Sequence, residues 1–296
     1  MAIINPRMRS EQEMFDLIVN TARQDERVRA VIMNGSRANP DGHRDIFQDF
    51  DIVYLVTDVE AFKRTPGWIN CFGEMMVLQT SDDMYDPPSP EDGQYAYLMQ
   101  FMDGNRIDLT LFPVARFPEL EKDSLSVLLL DKDGIIQALE PPSDRDYLPK
   151  PPTAKAFADC CNEFWWVSPY VAKGLWREQI LYAKSMADSV LRTELMKMLT
   201  WYTGMNTGFS CNPGKDGKYL KQYLEPVLWA MLERTYADAS YEHAWEALFA
   251  MGELFRVVAV RVADHFGFDY PFGDDQRVSA HLRHVHTLPA DAKAMY

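Results

Sequence analysis

A short apolar run at residues 28–33 ends in Asn34-Gly35-Ser36, and after residues 37 to 48 the segment Asp49-Phe50-Asp51 opens a second apolar run. Both runs are rich in β-branched and aromatic residues, so both read as strands. Side chains at i and i+2 of a strand share a face, which aims the carboxylates of Asp49 and Asp51 the same way. Like charges held that close are costly unless a cation lies between them. A third acid, Asp108, lies in Arg106-Ile107-Asp108-Leu109-Thr110-Leu111. Its alternating apolar neighbours mark another strand, on which the acid can share a sheet face with the pair.

Carboxylate oxygens in small number suit Mg²⁺, which keeps water and substrate phosphates in its remaining positions. The chemistry that calls for such a set is nucleotidyl transfer. A hydroxyl attacks the α-phosphorus of a nucleoside triphosphate, and pyrophosphate leaves in line. Two metal ions orient the triphosphate, activate the hydroxyl and share the developing charge. Asp49 and Asp51 are candidates to bridge both ions, with Asp108 completing one shell or accepting the hydroxyl proton. Gly35 would let backbone approach phosphate, and Ser36 offers a hydroxyl and an N–H. Either D-x-D or Gly-Ser alone is commonplace. The specificity lies in their order and spacing together with the third strand acid.

The rest of the N-terminal half reads as mixed α and β. Apolar positions Met14, Phe15, Ile18, Val19 and Ala22 predict a helix over 11–24. Further strands are expected over 74–79, 95–102, 106–112 and 126–130, with a hairpin turn at Asp103-Gly104-Asn105 and a short helix over 116–122. Pro141, Pro142, Pro149, Pro151 and Pro152 then punctuate a polar stretch, the mark of a domain edge. Beyond it Trp176, Ile180, Ala183, Ala187 and Val190 form one helical stripe. Helices are expected over 219–236, kinked or divided at Pro226, and over 241–265, stopped by Gly267. The expected class is α+β: residues 1–145 a catalytic domain with a mixed sheet flanked by helices, residues 146–296 a helical bundle.

Charge excludes some partners. The chain carries 44 acidic against 30 basic residues, a net charge of −14, where a nucleic-acid binder presents a basic face. Its field favours a small cationic partner. The segment Met1-Ala2-Ile3-Ile4-Asn5-Pro6-Arg7 lacks a leader pattern, and no apolar run reaches membrane-spanning length. Cys71, Cys160, Cys161 and Cys211 show no zinc or disulfide spacing. A cytoplasmic monomer with free thiols and no membrane association is expected.

These motifs resemble the nucleotidyltransferase superfamily typified by DNA polymerase β. More closely, the chain is similar to the aminoglycoside 6-adenylyltransferases, through Met33-Asn34-Gly35-Ser36-Arg37-Ala38-Asn39-Pro40, Gln48-Asp49-Phe50-Asp51-Ile52 and Asp103-Gly104-Asn105-Arg106-Ile107-Asp108-Leu109. The likeness continues through Asn162-Glu163-Phe164-Trp165-Trp166, Tyr170-Val171-Ala172-Lys173-Gly174-Leu175-Trp176-Arg177 and Gly214-Lys215-Asp216-Gly217-Lys218-Tyr219-Leu220. It implies a two-domain enzyme that moves AMP from ATP to the 6-hydroxyl of streptomycin. By that likeness Asp49 and Asp51 hold metal, Asp108 is the third carboxylate, and Gly35-Ser36 meets phosphate.

Cations for the outer phosphates are sought at Lys173, Lys215 and Lys218, the last two beside glycines that can open a helix N-terminus. Arg37 is a further phosphate candidate, with a surface arginine as the plain alternative. For a cationic acceptor, Glu74, Glu163 and Glu178 offer charge. Trp165 and Trp166 offer aromatic faces, although tryptophans at helical spacing also suit a core. His281, His284 and His286 read as an exposed C-terminal element. Two alternatives keep the same fold: a nucleotide-binding regulator without turnover, and an enzyme acting on another small cationic acceptor.

Overall fold

Ser10 starts the first helix by accepting from the Glu13 backbone N–H while Glu13 reaches back to the Ser10 amide, a reciprocal capping box. That helix, α1 (Glu11–Gln24), buries Met14, Ile18 and Ala22. It belongs to the first of two compact units, Met1–Asp146 and Tyr147–Tyr296. The computed structural model describes residues 7–40, 42–84, 93–136 and 139–296.

In the first unit the strands are β1 (Val28–Asn34), β2 (Phe50–Val56), β3 (Met75–Gln79), β4 (Tyr95–Phe101), β5 (Arg106–Pro113) and β6 (Ser126–Asp131). They form one sheet in the order β3-β4-β5-β2-β1-β6, with β2 and β5 parallel and every other pair antiparallel. One face is a continuous core. Phe50, Ile52 and Tyr54 of β2, Ile107, Leu109 and Leu111 of β5, and Tyr97, Met99 and Phe101 of β4 pack there with the buried face of α1 and with Phe62 of α2 (Val59–Lys63). The Tyr54 hydroxyl, fully buried, donates to the Ile18 carbonyl at 2.6 Å. The other face holds a smaller cluster of Ala30, Ile32, Val53, Leu55, Phe112 and Ile136.

The tip of the β4–β5 hairpin is fixed by charge. Burial alone would raise the Asp103 carboxyl, but hydrogen bonds from Arg9 and Asn105 hold it well below the usual carboxylate range. Two expectations need correcting here. The helix expected over 116–122 is a 3₁₀ turn, Val114–Glu119, because Pro118 cannot supply an amide to a longer helix. Asp49 stands one residue ahead of its strand, which begins at Phe50.

The second unit is helical: α3 (Ala154–Trp176), α4 (Ile180–Met186), α5 (Arg192–Thr207), α6 (Pro226–Glu233), α7 (Tyr241–Phe266) and α8 (Phe272–Thr287). The single stripe from Trp176 to Val190 is broken. Glu178 adopts φ 55° and ends α3, with the Gln179 N–H donating to the Gly174 carbonyl at 2.8 Å. One π-helical segment, Ala187–Leu191, then joins α4 to α5. Pro226 divides the expected 219–236 helix and starts α6, because the first helical position needs no N–H. Gly267, at φ 72°, stops α7 as its sequence implies. The histidine segment belongs to α8, whose Leu282 and Val285 are buried, and His286 lies against the Trp245 ring. All four cysteines are free, and no described helix is long and apolar enough to cross a membrane.

The helical core centres on Phe164 of α3 and Phe255 of α7, stacked with centroids 3.9 Å apart. Phe164→Ala is expected to destabilise this unit by about 3–5 kcal/mol. Denaturant unfolding of the full chain reads it, and a loss near zero would show that the stack is not what holds the bundle.

Candidate active site

The site is laid out by strand register. Asn34 of β1 pairs with Asp51 of β2, and Asp51 pairs with Asp108 of β5. On the far side Asn34 pairs with Ser126 of β6, whose hydroxyl donates to the Asn34 side-chain oxygen at 2.8 Å. Directly paired residues face the same way, so Ser126, Asn34, Asp51 and Asp108 make one polar row across the sheet. The row runs along the face opposite the main core, beyond the end of the small cluster of Ile32, Val53 and Phe112.

Gly35 makes room for it. At φ 76° it follows the strand, and a Cβ there would come within 2.2 Å of the Asp51 carboxylate oxygen. Its N–H donates to the Leu125 carbonyl at 3.1 Å. Gly35 therefore admits the carboxylate against the backbone, while its own amide is already used. Ser36 is half-buried, with its hydroxyl near the Gln48 side-chain amide at 3.4 Å.

Arg37 is not the surface arginine of the plain alternative. It is buried, donates to the backbone carbonyls of Gln48 at 2.7 Å and Asp49 at 3.1 Å, and lies 3.8 Å above the Phe50 ring. Glu11 of α1 balances its charge at 3.1 Å. A guanidinium so engaged has little left for phosphate. Its work is to clamp the segment that presents Asp49.

Asp108 accepts two hydrogen bonds from Arg106, at 2.7 and 2.8 Å, and the same guanidinium lies 3.8 Å from Asp49. Arg106 is a counter-ion that the motif spacing does not single out. The signal was present, since residues 106 and 108 share a strand face. Burial raises the Asp49 carboxyl, opposed by Arg106, with Asp108 raising it further. For Asp51, burial and then the charges of Asp108 and Asp49 push the carboxyl up to about 6. Among the described residues no three acidic, histidine or cysteine side chains are grouped so as to cage an ion as they stand. Asp108 is turned onto Arg106 instead. The donor set nonetheless suits a hard divalent cation, because Asp49 and Asp108 share one guanidinium and Asp51 beside them is left with negative charge unmatched.

The candidates of the second unit are more scattered. Lys173, Lys215 and Lys218 are all exposed. Lys215 lies in a three-residue 3₁₀ turn, Lys215–Gly217, followed by another short turn at Leu220–Gln222, so no helix N-terminus opens there. Glu163 and Glu178 are exposed, about 20 Å apart by the rise of α3. Trp165 is only 2% exposed, wedged against Phe164 and Phe255, which makes it core. Its neighbour Trp166 presents its ring to solvent instead. Helical phase decides between them: Trp165 follows Cys161 by four residues on the buried side. Glu74, in the first unit, is exposed just before the edge strand β3.

The chain matches the family model described as streptomycin adenylyltransferase over residues 8–285. It is 41% identical over 270 residues to the aminoglycoside 6-adenylyltransferase of Bacillus subtilis, covering 90% of this chain and 95% of that protein. The aminoglycoside 6-adenylyltransferase of Campylobacter jejuni is 43% identical over 270 residues, 91% of this chain and 93% of its own. A crystal structure of an aminoglycoside 6-adenyltransferase from Bacillus subtilis aligns with 95% of this chain and 100% of its own at 36% identity, with a TM-score of 0.47.

Gly35→Ala is expected to cost about 2–4 kcal/mol, from strain at positive φ and the clash with Asp51. Urea unfolding measures it, and an unchanged midpoint would mean the carboxylate does not need that space. In metal-free buffer the folded state binds the Asp51 proton more tightly than the unfolded chain, whose carboxyl titrates near pH ~4. Stability should therefore fall as pH rises from ~4 through ~6. Asp51→Asn should remove that component of the slope, and an unaltered slope would assign it to another group.

Proposed function

The chain belongs to the streptomycin adenylyltransferase family, and from that premise we propose that it transfers AMP from ATP to the 6-hydroxyl of an aminoglycoside, with streptomycin as the acceptor. Pyrophosphate leaves, and the modified drug is inactivated. One observation carries the reading: Asp51 and Asp108 are direct partners on parallel strands, with Asp49 sharing the counter-ion of Asp108 and Gly35 opening the backbone beside Asp51.

Bound Mg²⁺, as two ions, would neutralise triphosphate charge and lower the pKa of the acceptor hydroxyl. Asp49 and Asp51 are the residues to hold it, and Asp108 completes the shell or receives the hydroxyl proton. Arg37 keeps Asp49 in place through the backbone, so the carboxylates stay ordered without being bonded to it. The Ser36 hydroxyl is available to a phosphate oxygen. The chain's acidic balance of 44 acids to 30 bases attracts an acceptor that carries guanidinium and amine groups. The same balance speaks against a polynucleotide acceptor.

A second reading, a nucleotide binder without turnover, draws support from the Arg106–Asp108 pair, since an acid already satisfied internally has less call for a metal. Pyrophosphate release from ATP, streptomycin and Mg²⁺ separates the two. Turnover, with a product heavier by one adenylyl group in mass spectrometry, is expected. Silence across a panel of aminoglycosides with ATP or GTP would sink the proposal. Asp49→Asn and Asp51→Asn should each lower the rate by orders of magnitude with the fold retained by circular dichroism. A near-normal rate in either would remove that residue from the chemistry.

A further inference from the structure

The second unit contains a cavity of about 390 Å³ whose walls are charged in the opposite sense to the chain as a whole. One wall is the last turns of α3, with Pro169, Tyr170, Lys173, Trp176 and Arg177. Facing it are His281 and Val285 of α8 and the C-terminal tail, including Lys293. No aspartate or glutamate lies among its lining residues. In a chain with 44 acids and 30 bases, three cations sharing a space without one acid need a physical reason.

Among the described residues none of the three is spent on an ion pair. The Lys173 ammonium lies over the Tyr170 ring at 4.8 Å, and the Arg177 backbone N–H turns back to the Lys173 and Leu175 carbonyls, which leaves its guanidinium for the cavity. The helix dipole explains cations at the end of α3. It does not explain Lys293, which reaches the same space from the tail. The walls are tied together. The Trp176 indole N–H donates to the Leu288 carbonyl at 3.3 Å. The Tyr296 ring stacks on His284 with centroids 4.7 Å apart, its hydroxyl bonds His281 Nδ1 at 2.7 Å, and His284 also meets the Met295 carbonyl. The tail is thus fastened along α8, with Lys293 held over the cavity.

We propose that this cavity is a binding site for an oligophosphate group, held by Lys173, Arg177 and Lys293. Two ammonium groups and a guanidinium around one volume match a compact ligand of several negative charges, and unpaired cations meet it without first breaking internal bonds. The volume falls in the range of small-molecule sites. The site does not depend on the adenylyl-transfer reading. Its ligand is either the tail of a nucleotide or a free chain of phosphates.

The test uses the full-length protein in EDTA, with sodium tripolyphosphate as the probe, followed by calorimetry. Without metal, the carboxylates of Asp49, Asp51 and Asp108 repel such an anion, so binding under these conditions reports the cationic cavity. Binding is expected, weakening as salt rises. Arg177→Gln with Lys293→Gln should reduce affinity by about tenfold or more, while Lys150→Gln with Lys155→Gln, exposed lysines outside the cavity, should not. ATP bound more tightly than tripolyphosphate, with the same Arg177 and Lys293 dependence, assigns the group to a nucleotide; the reverse order assigns it to a free oligophosphate. No metal-free binding, binding indifferent to Arg177 and Lys293, or citrate bound as tightly as tripolyphosphate would overturn the proposal. Failure of the transferase assay leaves each of these readouts intact.

Discussion

Like charge held side by side is the constraint around which the first unit is built. Parallel pairing of β2 with β5 sets Asp51 opposite Asp108, and Asp49 stands one step outside the same strand. Burial and the neighbouring negative charge raise the affinity of Asp49 and Asp51 for protons. The chain answers with Arg106, bonded to Asp108 and near Asp49. That answer is incomplete, as the elevated Asp51 carboxyl shows. A site that retains unmatched negative charge is ready for a cation, and the proposed metal-assisted transfer rests on that electrostatic feature of the sheet.

Holding such a cluster requires neighbours that do not themselves join it. Arg37 grips the carbonyls of Gln48 and Asp49 from beneath, and Glu11 of α1 balances it. The first helix therefore reaches the site through one buried guanidinium. Gly35 contributes by what it lacks, since any side chain would occupy the place of the Asp51 carboxylate. The opposite face of the sheet is closed by aromatic and aliphatic side chains from β2, β4 and β5, so the open face is the one left for polar chemistry.

The second unit shows a different use of charge. Its core is aromatic and aliphatic, centred on Phe164, Trp165 and Phe255. Around the end of α3 it gathers cations that find no acid, in a chain where acids are in excess. Net charge predicts the field at a distance. It says little about a single cavity, whose sign follows from the few side chains that the helix phase and the tail bring together.

The sequence by itself determined the elements of the sheet and which acids its strands carry. Strand alternation located β1, β2 and β5, Gly267 marked the end of α7, and the Gly-Ser to D-x-D spacing singled out Asp49 and Asp51. Each of these depends on neighbours a few residues away. The tertiary structure alone decided that Asp108 lies beside Asp51, that Arg37 turns inward, that Arg106 is the counter-ion, and that Trp165 is core while Trp166 is exposed. It also decided that Lys293 meets Lys173 and Arg177. Strand register and helix phase set where a side chain points, and both are fixed by packing between segments far apart in the chain. Local pattern carries no record of that.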